Sequence, residues 1–392
     1  MQKVYKKQYL FYSFALSLLV SCSGPAEKKT AAEGDSTSTV AAAAPDAKNF
    51  EATVNGKAVK LYTLKNSKGA SVAITNYGGR VVSLLVPDNK GALTDVVLGY
   101  DSVKTYQKPK EPFFGAIIGR YGNRIGKGKF SLDGKTYQLD INDGVNTLHG
   151  GFKGFYAQVF DAAQPNDSTL NLTYVSTDGE GGYPGTLTSK VTYTLTADNA
   201  LKIEYTATTD KTTIVNLTNH AYFNLNGAGD STILDNVVKI DADNITPVDT
   251  TLIPTGKLQA VKGTPFDFTT GKAIGTNIND KDEQLKNGKG YDHNFALNKH
   301  DITKSIATVS SPKTGIVMDI YTDEPGLQFY SGNFLTGATN DGKGGKAYPH
   351  RSAFCMETQH FPDAPNQPAF ASTVLKPGQT YHTTTIYKFT NK

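Results

Sequence analysis

The sequence predicts an all-β protein, a large antiparallel β-sandwich in a single domain, and three observations point to it. After Phe50, apolar residues alternate with polar ones, as in Val191, Tyr193, Leu195 and then Leu201, Ile203, Tyr205, the period of two expected of half-buried strands. Asn55-Gly56, Asp88-Asn89, Asp133-Gly134 and Asp198-Asn199 punctuate these runs with residues that tolerate the positive φ of tight hairpins. The 38 Gly and 17 Pro would interrupt a helical bundle or solenoid far too often. Only Ser102 to Gln107 and Asp280 to Lys286 read as helical, and neither is long enough to form a layer.

Composition agrees with a large packed core and narrows the partners. Hydrophobic residues make up 38% of the 392, with 21 Tyr and 19 Phe, so global disorder is excluded. The 40 Lys+Arg against 36 Asp+Glu leave a formal charge of +4, too weak a field to imply nucleic acid or another polyanion.

The amino terminus concerns place. Lys3, Lys6 and Lys7 precede the apolar run Tyr9 to Val20, too short to span a bilayer comfortably but suited to a secretory signal. It ends in Leu19-Val20-Ser21-Cys22, which resembles the lipobox of bacterial lipoproteins. Residues 1–21 are therefore expected to be the signal peptide, with Cys22 acylated as the membrane anchor of an exported lipoprotein, periplasmic or at the cell surface. Residues 22–48, rich in Ala, Ser, Thr, Lys and Glu, read as a flexible tether, and residues 49–392 as the β domain. Cys355 is then the remaining thiol, so the exported fold has no internal disulfide to rely on.

Two signals for other chemistry fail on inspection. The segment from Gly337 to Lys343 has the spacing of a phosphate loop, but Gly344 stands where a Mg²⁺-binding hydroxyl is required. The seven His residues form no HExxH pattern and no Cys pair is available for structural zinc, so no metal or other cofactor is expected.

Six segments mix polar and ionisable residues with glycines and aromatics: GRYGNRI (119–125), TLHGG (147–151), LTNHAYFNL (217–225), GYDHNF (290–295), EPGLQFYSGNF (324–334) and METQHFPDAPN (356–366). Singly each has a structural reading. In this order they resemble the aldose 1-epimerase (galactose mutarotase) family over essentially all of residues 50–392. The resemblance implies a galactose mutarotase-type antiparallel β-sandwich, in accord with the strand pattern. It also implies Glu357 as catalytic base and His220 as catalytic acid. Asn123, Arg124, His149, Asp292 and Gln328 match residues that hold the sugar hydroxyls and ring oxygen. Tyr222 is a weaker match, and Phe329 is added here as a stacking surface. The export signal departs from the many relatives that lack one.

Anomer interconversion explains why these residue types are needed. A proton must leave the C1 hydroxyl while the ring oxygen gains one, so a carboxylate and an imidazolium must face the same carbon. The partner implied is a monosaccharide, an aldohexose, bound to a monomer. Two rival readings stay open: a glycoside hydrolase using Asp292 and Glu357, and a non-catalytic sugar-binding lipoprotein. A His220 and Glu357 pair closing on one sugar ring would favour the epimerase.

Overall fold

The computed structural model describes residues 44–108 and 111–392. The signal peptide, Cys22 and most of the tether lie outside the described residues. The first side chain committed to the core is Phe50, at the end of a short 3-10 turn, Ala47–Phe50.

Strands dominate the described chain. The largest sheet has nine strands, all paired antiparallel, in the spatial order Asp161–Asn166, Thr169–Ser176, Leu187–Leu195, Ala200–Thr209, Tyr381–Asn391, Ile316–Thr322, Ala307–Ser310, Val237–Ile240 and Lys272–Ala273. Its central hairpin, Leu187–Leu195 with Ala200–Thr209, is the one that the alternation predicts, with Leu187, Val191, Tyr193 and Leu195 turned into the core. A five-stranded sheet, in the order Gln259–Ala260, Asn244–Ile245, Asp292–Ala296, Gly326–Tyr330 and Cys355–Gln359, packs against it. Phe295, Leu327, Phe329 and Met356 of the second sheet share one buried cluster with Leu201, Ile203, Met318 and Tyr387 of the first. The Tyr387 hydroxyl crosses the interface to donate to the Met356 carbonyl at 2.7 Å. A four-stranded sheet, from Leu61–Lys65 through Leu93–Asp95, completes the layers. This is the β-sandwich that the sequence predicts.

The turns follow their chemistry with one correction. Asn55-Gly56 and Asp133-Gly134 both take positive φ throughout, as two-residue hairpin loops require. At Asp88-Asn89 neither residue does; the loop is longer and Gly91 supplies the left-handed position at φ 77°. Asp88 instead caps the turn, its Oδ1 accepting from the amides of Lys90 and Ala92 at 2.8 Å each. The two helical expectations become single short helices, Val103–Tyr106 and Glu283–Gly288, capped by Ser102 and Asp282. The segment resembling a phosphate loop serves as a strut: Lys343 Nζ donates to Asp95 Oδ2 and to the carbonyls of Val82 and Val97 at 2.6 to 2.8 Å.

Candidate active site

Three strands of the five-stranded sheet, Asp292–Ala296, Gly326–Tyr330 and Cys355–Gln359, are buried on both faces, and their alternation sorts the side chains. Leu327, Phe329, Met356 and Thr358 point toward the nine-stranded sheet, whereas Gln328, Tyr330, Cys355 and Glu357 point the other way. Antiparallel register places Gln328 opposite Glu357, and Tyr330 between Asp292 and Cys355. The sheet thus presents a polar face made of residues distant in sequence. The short strand Thr218–His220 carries His220 to this face, paired with Ala116–Ile118.

A cavity of about 290 Å³ lies over the face, with Asn123, Arg124, His149, His220, Tyr222, Asp292 and Glu357 among its walls. Seven of the nine expected site residues therefore meet in one place. Gln328 stands behind the wall, its Nε2 donating to Asp292 Oδ1 at 2.7 Å. Phe329 does not belong to the site: it is fully buried against Tyr291, rings stacked at 5.3 Å. The correction follows from the period of two, which must send residue 329 to the face opposite Gln328.

His220 and Glu357 face each other closely. His220 Nε2 stands 3.6 Å from Glu357 Oε1, and the two residues are 5% and 2% exposed. The imidazole is clamped between the rings of Phe113, 5.6 Å away, and Tyr222, 4.9 Å away, both nearly parallel to it. Glu357 Oε2 is buried with no hydrogen-bond partner among the described residues. A buried carboxylate oxygen left unpaired is costly, so such an atom at a cavity wall marks a place for a ligand's hydroxyl. Burial, with Asp292 nearby, pushes the Glu357 carboxyl well above its usual range, and Arg124 only partly offsets this. Burial lowers His220 to about 3, against the opposing effect of its own main-chain carbonyl and with Arg80 adding to the fall. A dry pocket disfavours the charged form, so burial favours a neutral ring in the resting site.

The other polar walls are fixed by their neighbours. Arg124 Nε donates to Asp143 Oδ2 at 2.7 Å, which leaves its terminal nitrogens for the cavity. His149 Nδ1 accepts from the Asn123 amide at 3.1 Å. Burial, then His220 and Arg124, hold the His149 ring well below the usual imidazole range and so neutral. With Nδ1 an acceptor, its hydrogen must sit on Nε2, as a donor. His149, His220 and Glu357 bring candidate metal ligand atoms within 4.8 Å of one another. The His149 bonding fits a metal poorly, since Nδ1 is already engaged and Nε2 has no lone pair to give.

Comparison with known proteins agrees with this arrangement. The family model for aldose 1-epimerase matches residues 60–388. A galactose mutarotase of Rattus norvegicus is 45% identical over 334 residues, 85% of this chain and 95% of the rat protein. An aldose 1-epimerase of Escherichia coli K12 is 39% identical over 338 residues, 86% of this chain and 96% of its own. The chain belongs to the aldose 1-epimerase family. Among solved structures, a GalM/aldose epimerase homologue from C. elegans superposes with a TM-score of 0.78 at 30% identity, covering 85% of this chain and 99% of its own. A galactose 1-epimerase from Lactobacillus acidophilus gives 0.76 at 29% identity, covering 87% and 97%.

In this aldose 1-epimerase family member several wall residues escape sequence reasoning. Glu111, Phe113 and Asp143 lie outside the six segments, and nothing local in the sequence marks them. Arg80, fully buried, donates to the carbonyls of Phe114 and Tyr156 at 3.0 and 2.7 Å and so seats the turn that carries Phe113. Tyr330 and Phe334, both within EPGLQFYSGNF, also line the cavity, and Phe334 is 43% exposed at its rim.

Proposed function

We propose that this isomerase interconverts the α and β anomers of galactose- or glucose-type aldoses, with Glu357 as base and His220 as acid. One observation carries the assignment: the unpartnered, buried Glu357 carboxylate stands opposite His220 Nε2, 3.6 Å away, in a cavity of about 290 Å³. O1 and O5 of a pyranose share C1, so one base and one acid a few ångströms apart can serve both.

The step balances without another reactant. Glu357 takes the O1 proton, the O1–C1 pair becomes a carbonyl, the C1–O5 bond breaks, and O5 takes the proton from His220 Nε2. Rotation about C1–C2 presents the other carbonyl face, and reclosure returns each proton along the reverse path. The pair holds one proton throughout, on His220 with the cyclic sugar and on Glu357 with the open aldehyde. The resting site, with Glu357 shifted toward its protonated form and His220 neutral, already has the proton count of the open-chain complex. Arg124 and the Nε2 hydrogen of His149 are suited to bind hydroxyl oxygens and stabilise developing negative charge. Asp292 accepts from a hydroxyl, Gln328 orients Asp292, and Tyr222 and Asn123 complete the binding walls.

A glycoside hydrolase using Asp292 and Glu357 needs room for a second sugar on the far side of the scissile bond. The His220 ring, clamped by Phe113 and Tyr222 directly before Glu357, favours the epimerase. The lipobox-like end of the apolar run supports an exported enzyme tethered through Cys22. Optical rotation of freshly dissolved α-galactose and α-glucose tests the activity: catalysed relaxation to the equilibrium anomer mixture is expected. A protein that binds sugar without speeding relaxation would be the non-catalytic binder instead.

A further inference from the structure

The site geometry raises a question that proton bookkeeping alone leaves open: which nitrogen of His220 is the one that works. A neutral imidazole holds one hydrogen, and free imidazole side chains carry it on either nitrogen. If Nε2 kept that hydrogen in the resting ring, donation to O5 would have to leave an imidazolate, a far stronger base than neutral imidazole and so an unfavourable product. The reaction works through imidazolium and neutral imidazole only if Nδ1 keeps its hydrogen at all times and Nε2 alone gains and loses one.

The structure supplies one side-chain partner for Nδ1. Cys355 Sγ lies 3.5 Å from His220 Nδ1, both residues buried, on the side of the ring away from Glu357. Cys355 sits two residues before Glu357 on the same strand and face, so one rigid segment contacts both nitrogens of the ring. The stacked rings of Phe113 and Tyr222 prevent the imidazole from turning over to exchange them. We infer that Cys355 is a positioning residue: its sulfur accepts from Nδ1–H of His220, which fixes the tautomer and leaves Nε2 as the nitrogen that exchanges its proton with the ring oxygen.

Sulfur also suits the task energetically. A carboxylate at Nδ1 would stabilise the imidazolium and make His220 a weak acid, whereas sulfur is a weak acceptor that orients the ring without doing so. The charged and titratable groups around the ring are Glu357 at Nε2, Cys355 at Nδ1, His149 with its ring 5.0 Å away, Tyr222 on one face, and Arg80 behind the Phe113 turn. Burial pushes the Cys355 thiol up, so it stays uncharged and adds no competing anion.

The inference rests on the proposed acid role of His220 for its consequence, but its central claim is read without activity. Histidine-selective ¹⁵N NMR of the resting full-length protein should show His220 as the Nδ1–H tautomer, assigned by loss of the signal in His220→Asn. Cys355→Ser, which keeps an acceptor, should preserve that tautomer and most of kcat. Cys355→Ala should let the Nε2–H tautomer appear and lower kcat by about tenfold or more with KM little changed. Cys355→Asp should move the acidic limb of the kcat/KM profile upward by a unit or more. An Nε2–H resting ring in the parent overturns the proposal, as does a folded Cys355→Ala protein with unchanged tautomer and rate. Should the parent show the Nδ1–H tautomer yet no mutarotase activity, the functional reading fails while the tautomer assignment stands.

Discussion

Asn123 and His149 hold each other through two hydrogen bonds: the Asn123 amide donates to His149 Nδ1 at 3.1 Å, and the His149 amide donates to the Asn123 carbonyl at 3.0 Å. Both residues sit in the left-handed region, at φ 62° and 52°. Asparagine tolerates that region better than most residues, and its Oδ1 accepts from the Arg124 amide at 2.9 Å. Asn123→Ala should therefore cost about 1 to 2 kcal/mol in urea unfolding, and Asn123→Gly less, because glycine removes the strain though not the lost bond. Equal stability of the two variants would show that the left-handed conformation is not what selects asparagine there.

Glu357→Gln preserves shape but cannot accept the O1 proton. Turnover of α-galactose should fall by about 10² or more, with binding less affected, as for loss of a general base. His220→Asn should depress turnover similarly. Circular dichroism establishes that each variant folds, and a folded Glu357→Gln protein relaxing the sugar at the parent rate would remove Glu357 from the mechanism.

The pH dependence follows from the one-proton pair. As pH falls through the His220 value of about 3, the pair takes a second proton and Glu357 can no longer act as base. As pH rises through the elevated Glu357 value, the pair loses its last proton and the acid is gone. The kcat/KM profile should be bell-shaped, its limbs belonging to the pair, with the acidic limb well below the 6.5 of an ordinary imidazole. Polarimetric rates across pH, on protein shown to remain folded, check this; an acidic limb between 6 and 7 would contradict the dry-pocket account.

Lys343 is a buried strut whose ammonium meets Asp95 and two carbonyls, with both side chains of the ion pair only 11% exposed. Lys343→Met leaves the Asp95 charge without its cation. A loss of about 3 kcal/mol or more in urea unfolding is expected, the usual cost of removing one partner from a buried pair. A change under about 1 kcal/mol would mean that the pair behaves as a surface contact.

Cys22→Ala removes the thiol proposed to carry lipid. The variant should leave the detergent-extracted membrane fraction while retaining mutarotase activity, measured on both fractions. Unchanged membrane association would refute the lipobox reading.

The sequence by itself determined the strand class, the hairpin from Leu187 to Thr209, and the segments that build the site, because these depend on local alternation, turn chemistry and motif order. It did not place Phe329 in the core, although alternation already forces it to the face opposite Gln328; what decides the matter is the partner sheet that buries Phe329. Glu111, Phe113 and Asp143 were illegible because nothing local distinguishes them; they become walls when turns from separate parts of the chain close over one sheet face. The state of His220 was likewise beyond reach. Its residue type suggests an imidazolium near neutral pH, and only the tertiary structure, by burying the ring away from water beside Phe113 and Tyr222, favours the neutral form. Desolvation and proton sharing depend on what surrounds a group in space, and sequence order does not specify those surroundings.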